Sequence, residues 1–194
     1  MSDLWLYLLS AALLQNLVLT TGFGSSLMMR IIRRRADILP FGILLTLFCL
    51  LTTLTVYPID NWIGTAYLPK LFRPLIAVAI ASVWYIIISL SIRKSVRLSR
   101  RIGHLLPLSG FNNVVIGVVL ILNHQFHATL PVAIGFSLGS SLGFVLLLLI
   151  VAEGLQRSDH PAQPDAFRGL PAALLYMGIL ALALLGFTEE ATFV

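Results

Sequence analysis

The sequence predicts an all-α membrane protein of six transmembrane helices, arranged as two inverted three-helix repeats with broken first and fourth helices. Of its 194 residues, 58% are hydrophobic and 11% are charged, and the mean hydropathy is +0.96; in a soluble domain about a quarter of the residues are charged. Several apolar runs have the roughly 20 residues that a helix needs to cross a hydrocarbon core about 30 Å thick. Two of these runs are interrupted by similar segments, T-G-F-G-S-S at 21–26 and S-G-F-N-N-V at 109–114. Together these observations exclude a soluble fold.

Polar links divide the apolar sequence into six spans. Asp3 is the only charge before Arg30 and no basic segment precedes the first run, so we interpret this run as a retained span rather than a signal peptide. In order, the links read R-I-I-R-R-R-A-D, Y-P-I-D-N-W-I-G-T-A-Y-L-P-K, R-K-S-V-R-L-S-R-R, N-H-Q-F-H-A and E-G-L-Q-R-S-D-H-P-A-Q-P-D-A-F-R. The predicted spans are roughly 4–28, 38–56, 72–92, 103–122, 129–152 and 169–187.

Basic residues are concentrated in alternate links. Most of the 13 Lys and Arg residues lie in the first, third and fifth links, while Lys70 and Arg73 lie near the second and none lies in the fourth. The positive-inside rule therefore predicts that the first, third and fifth links are cytoplasmic and that both termini are periplasmic. The net charge of +5 is interpreted as an orientation signal, and the position of the arginines at span ends argues against nucleic-acid binding.

The two Gly-rich segments divide a single membrane domain, 1–194, into halves of three spans each, 1–98 and 99–194. Because three is odd, the second half starts on the opposite side of the membrane, which predicts an inverted repeat. Non-helical backbone at membrane depth is tolerated only where protein satisfies its polar groups. We therefore predict that residues 21–26 (the first elbow) and 109–114 (the second elbow) meet near the membrane midplane. The predicted elbow and ion-path residues are Gly22, Gly24, Ser25, Gly110 and Asn112.

Close helix packing is the alternative explanation for these small residues, because Gly and Ser are common where membrane helices approach each other. The repetition of the motif in equivalent places of the two halves favours the elbow interpretation over packing alone.

Four motifs resemble a known family nearly end to end. They are L-L-Q-N-L-V-L-T-T-G-F-G in the first span, L-L-P-L-S-G-F-N-N-V-V-I-G in the fourth, I-G-F-S near residue 134, and A-F-R-G before the last span. The sequence resembles the RnfA/NqrE family, the membrane subunits of the ion-translocating Rnf (ferredoxin:NAD) and Nqr (NADH:quinone) oxidoreductases. The resemblance implies a bacterial inner-membrane protein that pairs with a homologous RnfE/NqrD-type subunit of opposite orientation. It also implies a midplane [2Fe-2S] cluster that takes one cysteine from each elbow of both partners, within a redox-driven sodium or proton pump.

The sequence departs from that family at the cluster positions. Where members read approximately G-x-C-P and T-N-C, this chain has Ser26 and Asn113. Iron–sulfur clusters are held by thiolates or, less often, by His, so we expect no cofactor from this chain alone. The lone thiol, Cys49, lies in the second span and is predicted to be a small buried hydrophobe.

The polar elbow side chains have two predicted roles in place of cluster ligation. Ser25, Ser26, Asn112 and Asn113 are expected to hydrogen-bond the elbow backbone. As an alternative, their oxygens would suit a hydrated cation.

No constellation in the sequence predicts catalysis by this chain alone. His124 and His127 are interpreted as loop residues rather than metal ligands, and Glu153 as a surface carboxylate, with a proton relay as the alternative. The first hypothesis is a component of an Rnf/Nqr-type electron-transport complex, with the other subunits and the lipid bilayer as partners. The alternative is a stand-alone small transporter or channel with an inverted-repeat substrate site.

Overall fold

A computed structural model describes residues 2–14, 16, 25–32, 34–67, 72–125, 129–158, 164 and 169–190, and these contain helices and no β-strand. A membrane-spanning helix satisfies its own backbone hydrogen bonds, as the absence of water in a bilayer requires. The chain begins with α1, Ser2–Leu9, which continues as a π-helical turn, Ser10–Leu14, and a 3-10 turn, Arg35–Asp37, precedes α3. The other helices are α2 Ser25–Ile32, α3 Ile38–Tyr67, α4 Arg73–Arg93, α5 Val96–Ile102, α6 Leu106–Gly110, α7 Asn113–Gln125, α8 Leu130–Ser158 and α9 Leu170–Glu190.

Three of the described helical stretches are long and apolar enough to cross a membrane. They are Arg35–Ile59, Arg73–Arg93 and Leu130–Arg157, and a fourth results if Val96–Ile102 and Leu106–Leu122, bent by 58°, are counted as one span. Leu4–Leu13 and Pro171–Ala183 are apolar but shorter. The prediction of an all-helical protein with apolar helices is confirmed for the described residues, while the six spans and the inverted repeat stay predictions.

Two helices continue beyond the predicted ends of their spans. Helix α3 runs through Pro58 to Tyr67, although the second span was predicted to end near residue 56. Helix α8 runs to Ser158 rather than 152, and there Arg157 Nε bonds Glu153 Oε1 at 3.1 Å, one turn earlier on the same face. The sequence prediction located the end of the apolar run, but a helix can continue into polar sequence when side-chain pairs of this kind support it.

Helix α8 lies at the centre of the fold, where it packs against both α1 and α3. Its glycines at 135, 139 and 143 lie on one face, because residues four apart project from the same side of a helix. A methyl group at Gly135 would lie 2.5 Å from the carbonyl oxygen of Leu4, and one at Gly143 would lie 2.6 Å from that of Ala12. The absence of side chains here brings the two backbones into contact, as small residues do in membrane-helix pairs.

Aromatic side chains fill the space between α3 and α8. The rings of Phe41 and Phe144 have their centroids 5.8 Å apart, and both side chains are fully buried. By contrast, only 17% of the apolar window of α4 is buried, against 61% for α8. Helix α4 is therefore peripheral and presents apolar side chains outward, in the manner of a helix that faces lipid or another membrane protein.

Candidate functional site

The second elbow is a break between two helices. Helix α6 ends at Gly110, Phe111 and Asn112 are not helical, and α7 begins at Asn113. The ring of Phe48, from α3, lies 3.1 Å from where a methyl group at Gly110 would be. The ring of Tyr85, from α4, lies with its centroid 5.1 Å from that of Phe111. The break is thus enclosed by two other helices that are themselves candidate membrane spans.

Asn112 is buried at this break and caps α7. It is 1% exposed, and its Oδ1 accepts a hydrogen bond from the backbone N–H of Val114 at 3.0 Å. The first N–H groups of a helix have no partner within the helix, and an Asn side chain at the N-cap satisfies one of them. This is the main-chain role that the sequence predicted for an amide at this elbow.

Asn113 differs from its neighbour because it is exposed at the surface of the chain. This is the position at which the resembled family places a cluster cysteine. A ligand to a group shared between two subunits must reach the surface of its own chain, and the backbone geometry at Asn113 meets that requirement. The side chain is a neutral amide, however, so the donor at this position does not fit an iron–sulfur cluster, which needs thiolate or imidazole.

The first elbow lies largely outside the described residues. Gly22 and Gly24 fall in that part, and so does the predicted approach of the two elbows. Ser25 begins α2 and Ser26 follows it in the same helix. On the other side of the gap, Asn16 is 4% exposed and its Nδ2 donates to the carbonyl oxygen of Ala12 at 3.2 Å. The roles predicted for Gly22, Gly24, Ser25 and Ser26 therefore stay predictions.

Besides Nε of Arg73, at the start of α4, four buried polar side-chain atoms among the described residues have no hydrogen-bond partner. They are the hydroxyl oxygens of Thr52, Thr53 and Ser140 and the Nδ2 atom of Asn112. An unpaired polar group costs several kcal/mol at membrane depth, so groups of this kind mark positions that water, an ion or another polar group would satisfy. Thr52 lies one helical turn beyond Phe48 on the same face of α3, which is the helix face that contacts the second elbow at Gly110.

Cys49 lies in the core rather than at a helix break. The thiol belongs to a fully buried residue of α3 within the main apolar cluster, as the sequence predicted for a small buried hydrophobe. Because Phe48 contacts Gly110, α3 passes the second elbow one residue before Cys49, closer than the separation in sequence suggests. A single thiol still supplies one of the four ligands that a [2Fe-2S] cluster requires.

Ion pairs join three links at one end of the bundle. Arg35, in the first link, bonds Glu153 at 3.0 Å, and Glu153 also bonds Arg157 at 3.1 Å. Asp37 lies 3.2 Å from His104, which follows the third link. Sequence reasoning missed the Asp37–His104 pair, because 67 positions separate the two residues and neither stands out from its neighbours.

Comparison with known proteins identifies the family. The family described as "Rnf-Nqr subunit, membrane protein" matches residues 4–189. The chain belongs to the Rnf–Nqr family. This confirms the resemblance drawn from the four motifs.

Full-length relatives share this assignment, and those compared here are named as the RnfA component of an ion-translocating oxidoreductase complex. The chain is 32% identical over 190 residues to the relative from Pasteurella multocida (strain Pm70), covering 97% of this chain and 98% of the relative. It is 30% identical over 187 residues to the one from Aromatoleum aromaticum, covering 96% of both. For the one from Edwardsiella ictaluri the identity is 30% over 199 residues, covering 100% of both. Among Rnf–Nqr proteins, then, the chain is similar along its whole length to RnfA.

Proposed function

We propose that this chain is the RnfA-type membrane component of an Rnf/Nqr-type ion-translocating oxidoreductase complex in the bacterial inner membrane. The observation that carries the proposal is the continuous family match from residue 4 to residue 189, together with RnfA relatives that cover nearly the whole chain. The chain acts as a structural and ion-path component and has no catalytic activity alone. Its partners are the remaining subunits of the complex and the bilayer.

Within that complex, the chain pairs with a homologous RnfE/NqrD-type subunit of opposite topology. The exposed Asn113, at the start of α7, supports this pairing, because a group held between two chains needs contributing positions at both surfaces. A peripheral, mostly exposed α4 offers apolar area beside it. The chain contributes no thiolate at Asn113 or Ser26, so any [2Fe-2S] cluster at this interface takes its thiolates from the partner.

The proposal includes six spans in two inverted repeats, 1–98 and 99–194, with both termini periplasmic. The ion pairs Arg35–Glu153 and Asp37–His104 support it. They place the first link, the start of the fourth span and the fifth link at one end of the bundle, as a single cytoplasmic face requires.

A stand-alone transporter or channel is the second candidate. The observation that favours it is the set of buried polar atoms without partners on α3, α8 and the second elbow, because such atoms can line a path for a hydrated solute. The full-length match to proteins named as complex subunits favours the first candidate over this one.

Affinity purification from native membranes tests the choice. The tagged chain is extracted in a mild detergent, and co-purifying proteins are identified by mass spectrometry, with an unrelated six-span protein carrying the same tag as the control. The proposal predicts recovery of flavin-bearing and other membrane subunits in stoichiometric amounts. Recovery of the chain as a homo-oligomer free of such subunits would overturn it in favour of the transporter.

A further inference from the structure

Helix α5 carries a cationic face without acidic partners. Arg97, Arg100 and Arg101 follow an i, i+3, i+4 spacing and so project from one side of the helix, and all three are exposed. Together with Val96 they line a groove of about 540 Å³. Within the part of the chain that the structure describes, the ion pairs involve other residues, so these three guanidinium groups have no carboxylate within reach.

The direction of α5 places it along the membrane surface. It follows the candidate span α4 after Lys94 and Ser95, and it contacts α4. Its axis is bent by 58° from Leu106–Leu122. Transmembrane helices tilt on average about 20° from the bilayer normal, so a short helix at this angle to one of them is inclined toward the membrane plane.

The side chains of α5 suit that position. Val96 is 67% exposed and Leu98 is 44% exposed, while Ile102 packs against the core. A short helix with a basic face and exposed apolar side chains, directly beside a span, is typical of an interfacial segment that attracts anionic lipid.

We propose that the groove of α5 binds the phosphate headgroup of an anionic phospholipid. Guanidinium groups bind phosphate oxygens through paired, charge-assisted hydrogen bonds, and three of them converge on this groove. Val96 and Leu98 then contact the acyl chains next to the headgroup. Charge complementarity selects lipid as the occupant, since the bilayer is the anionic surface that this helix adjoins. This site is independent of the proposed function, because it depends only on the chain being a membrane protein.

Native mass spectrometry of the full chain in an uncharged detergent tests the site. The protein is titrated with phosphatidylglycerol, with phosphatidylcholine and with inorganic phosphate. The variant R97Q/R100Q is compared with the matched control R30Q/R34Q, which removes the same charge from exposed positions of the first link.

Each interfacial cation contributes about a fivefold gain in affinity for anionic membranes, so R97Q/R100Q should bind phosphatidylglycerol about 30-fold more weakly. The control variant should bind within about twofold of the unmodified protein, and R97K/R100K, which keeps the charge, should retain most of the affinity. Millimolar inorganic phosphate should leave the phosphatidylglycerol adduct in place.

Four results would overturn the proposal. Equal losses in R97Q/R100Q and R30Q/R34Q would indicate general charge attraction rather than a site. Equal binding of phosphatidylcholine would remove the anionic selectivity. Displacement by inorganic phosphate would make the ligand a free anion. If R97Q/R100Q kept its lipid and lost companion subunits from native membranes, the groove would be a protein interface.

Discussion

Replacing Gly139 with alanine tests the close contact between α1 and α8. The added methyl group would meet the carbonyl oxygen of Leu8 and would lie 2.9 Å from the Cβ atom of Ala11. Both obstacles belong to the α1 backbone or to its shortest side chain, so neither can move aside by rotating. The helix α1 must shift away as a body.

The size of that shift sets the expected loss of stability. A carbon atom approaches a carbonyl oxygen to about 3.3–3.6 Å, so α1 must withdraw by roughly 1 Å. A gap of 0.5–1 Å loses about a quarter to a half of the dispersion energy of each contact, and overpacking of this kind typically costs about 1–3 kcal/mol. The helix-propensity gain from Gly to Ala is at most about 1 kcal/mol. The net change is therefore a destabilisation on the order of 1–2 kcal/mol.

Unfolding of the purified chain in mixed micelles, titrated with sodium dodecyl sulfate and followed by circular dichroism, measures this change. Gly178→Ala is the matched control, because Gly178 is exposed in α9 and a methyl group there would have no neighbour within 4 Å. Gly139→Ala should unfold at a lower mole fraction of dodecyl sulfate than the unmodified protein, and Gly178→Ala at the same or a higher one. Equal midpoints for Gly139→Ala and the unmodified protein would refute the backbone contact.

Three further predictions concern the elbows and the topology. Asn112→Ala should destabilise the chain by about 1 kcal/mol in the same titration, because it removes the cap of α7, whereas Asn113→Ala should change the midpoint little; a reversed order would contradict the cap. The double change Ser26→Cys and Asn113→Cys should raise the iron content of the purified complex when the partner subunit is present, measured as iron per protein and as a [2Fe-2S] absorption band. Stoichiometric iron in the unmodified chain that is lost on Cys49→Ala would contradict the assignment of the site. Reporter fusions should give cytoplasmic activity at the three positions in the basic links and periplasmic activity at the other three, and a cytoplasmic C-terminus would exclude the six-span topology. The fusion sites are, in the first group, Arg35, Arg101 and Arg168, and in the second, Tyr67, His127 and Val194.

The sequence predicted the helices better than it predicted their partners. Hydropathy located the third span closely, since α4 runs Arg73–Arg93 where 72–92 was predicted. It also placed a break at the second elbow, where α6 ends at Gly110 and α7 begins at Asn113. These features follow from local composition and from residues that favour turns and caps.

Contacts between distant segments did not follow from composition. The motif I-G-F-S was used as a family signature, although Gly135, Gly139 and Gly143 form the surface that receives α1. The helical period shows that these glycines share a face, but it does not say which helix approaches them. The difference between Asn112, which is buried, and Asn113, which is exposed, likewise depends on the direction in which α7 leaves the break.

The contact between α1 and α8 has a consequence for biogenesis. Leu8 and Gly139 are separated by about 130 residues of chain, and ribosomes add roughly 5–20 residues per second. The first helix therefore enters the membrane about 7–26 s before its glycine surface is synthesised. During that interval the face of α1 that bears Ala11 must be covered by lipid or by the insertion machinery, and an α8 that arrives without its glycines would find α1 in place and unable to dock.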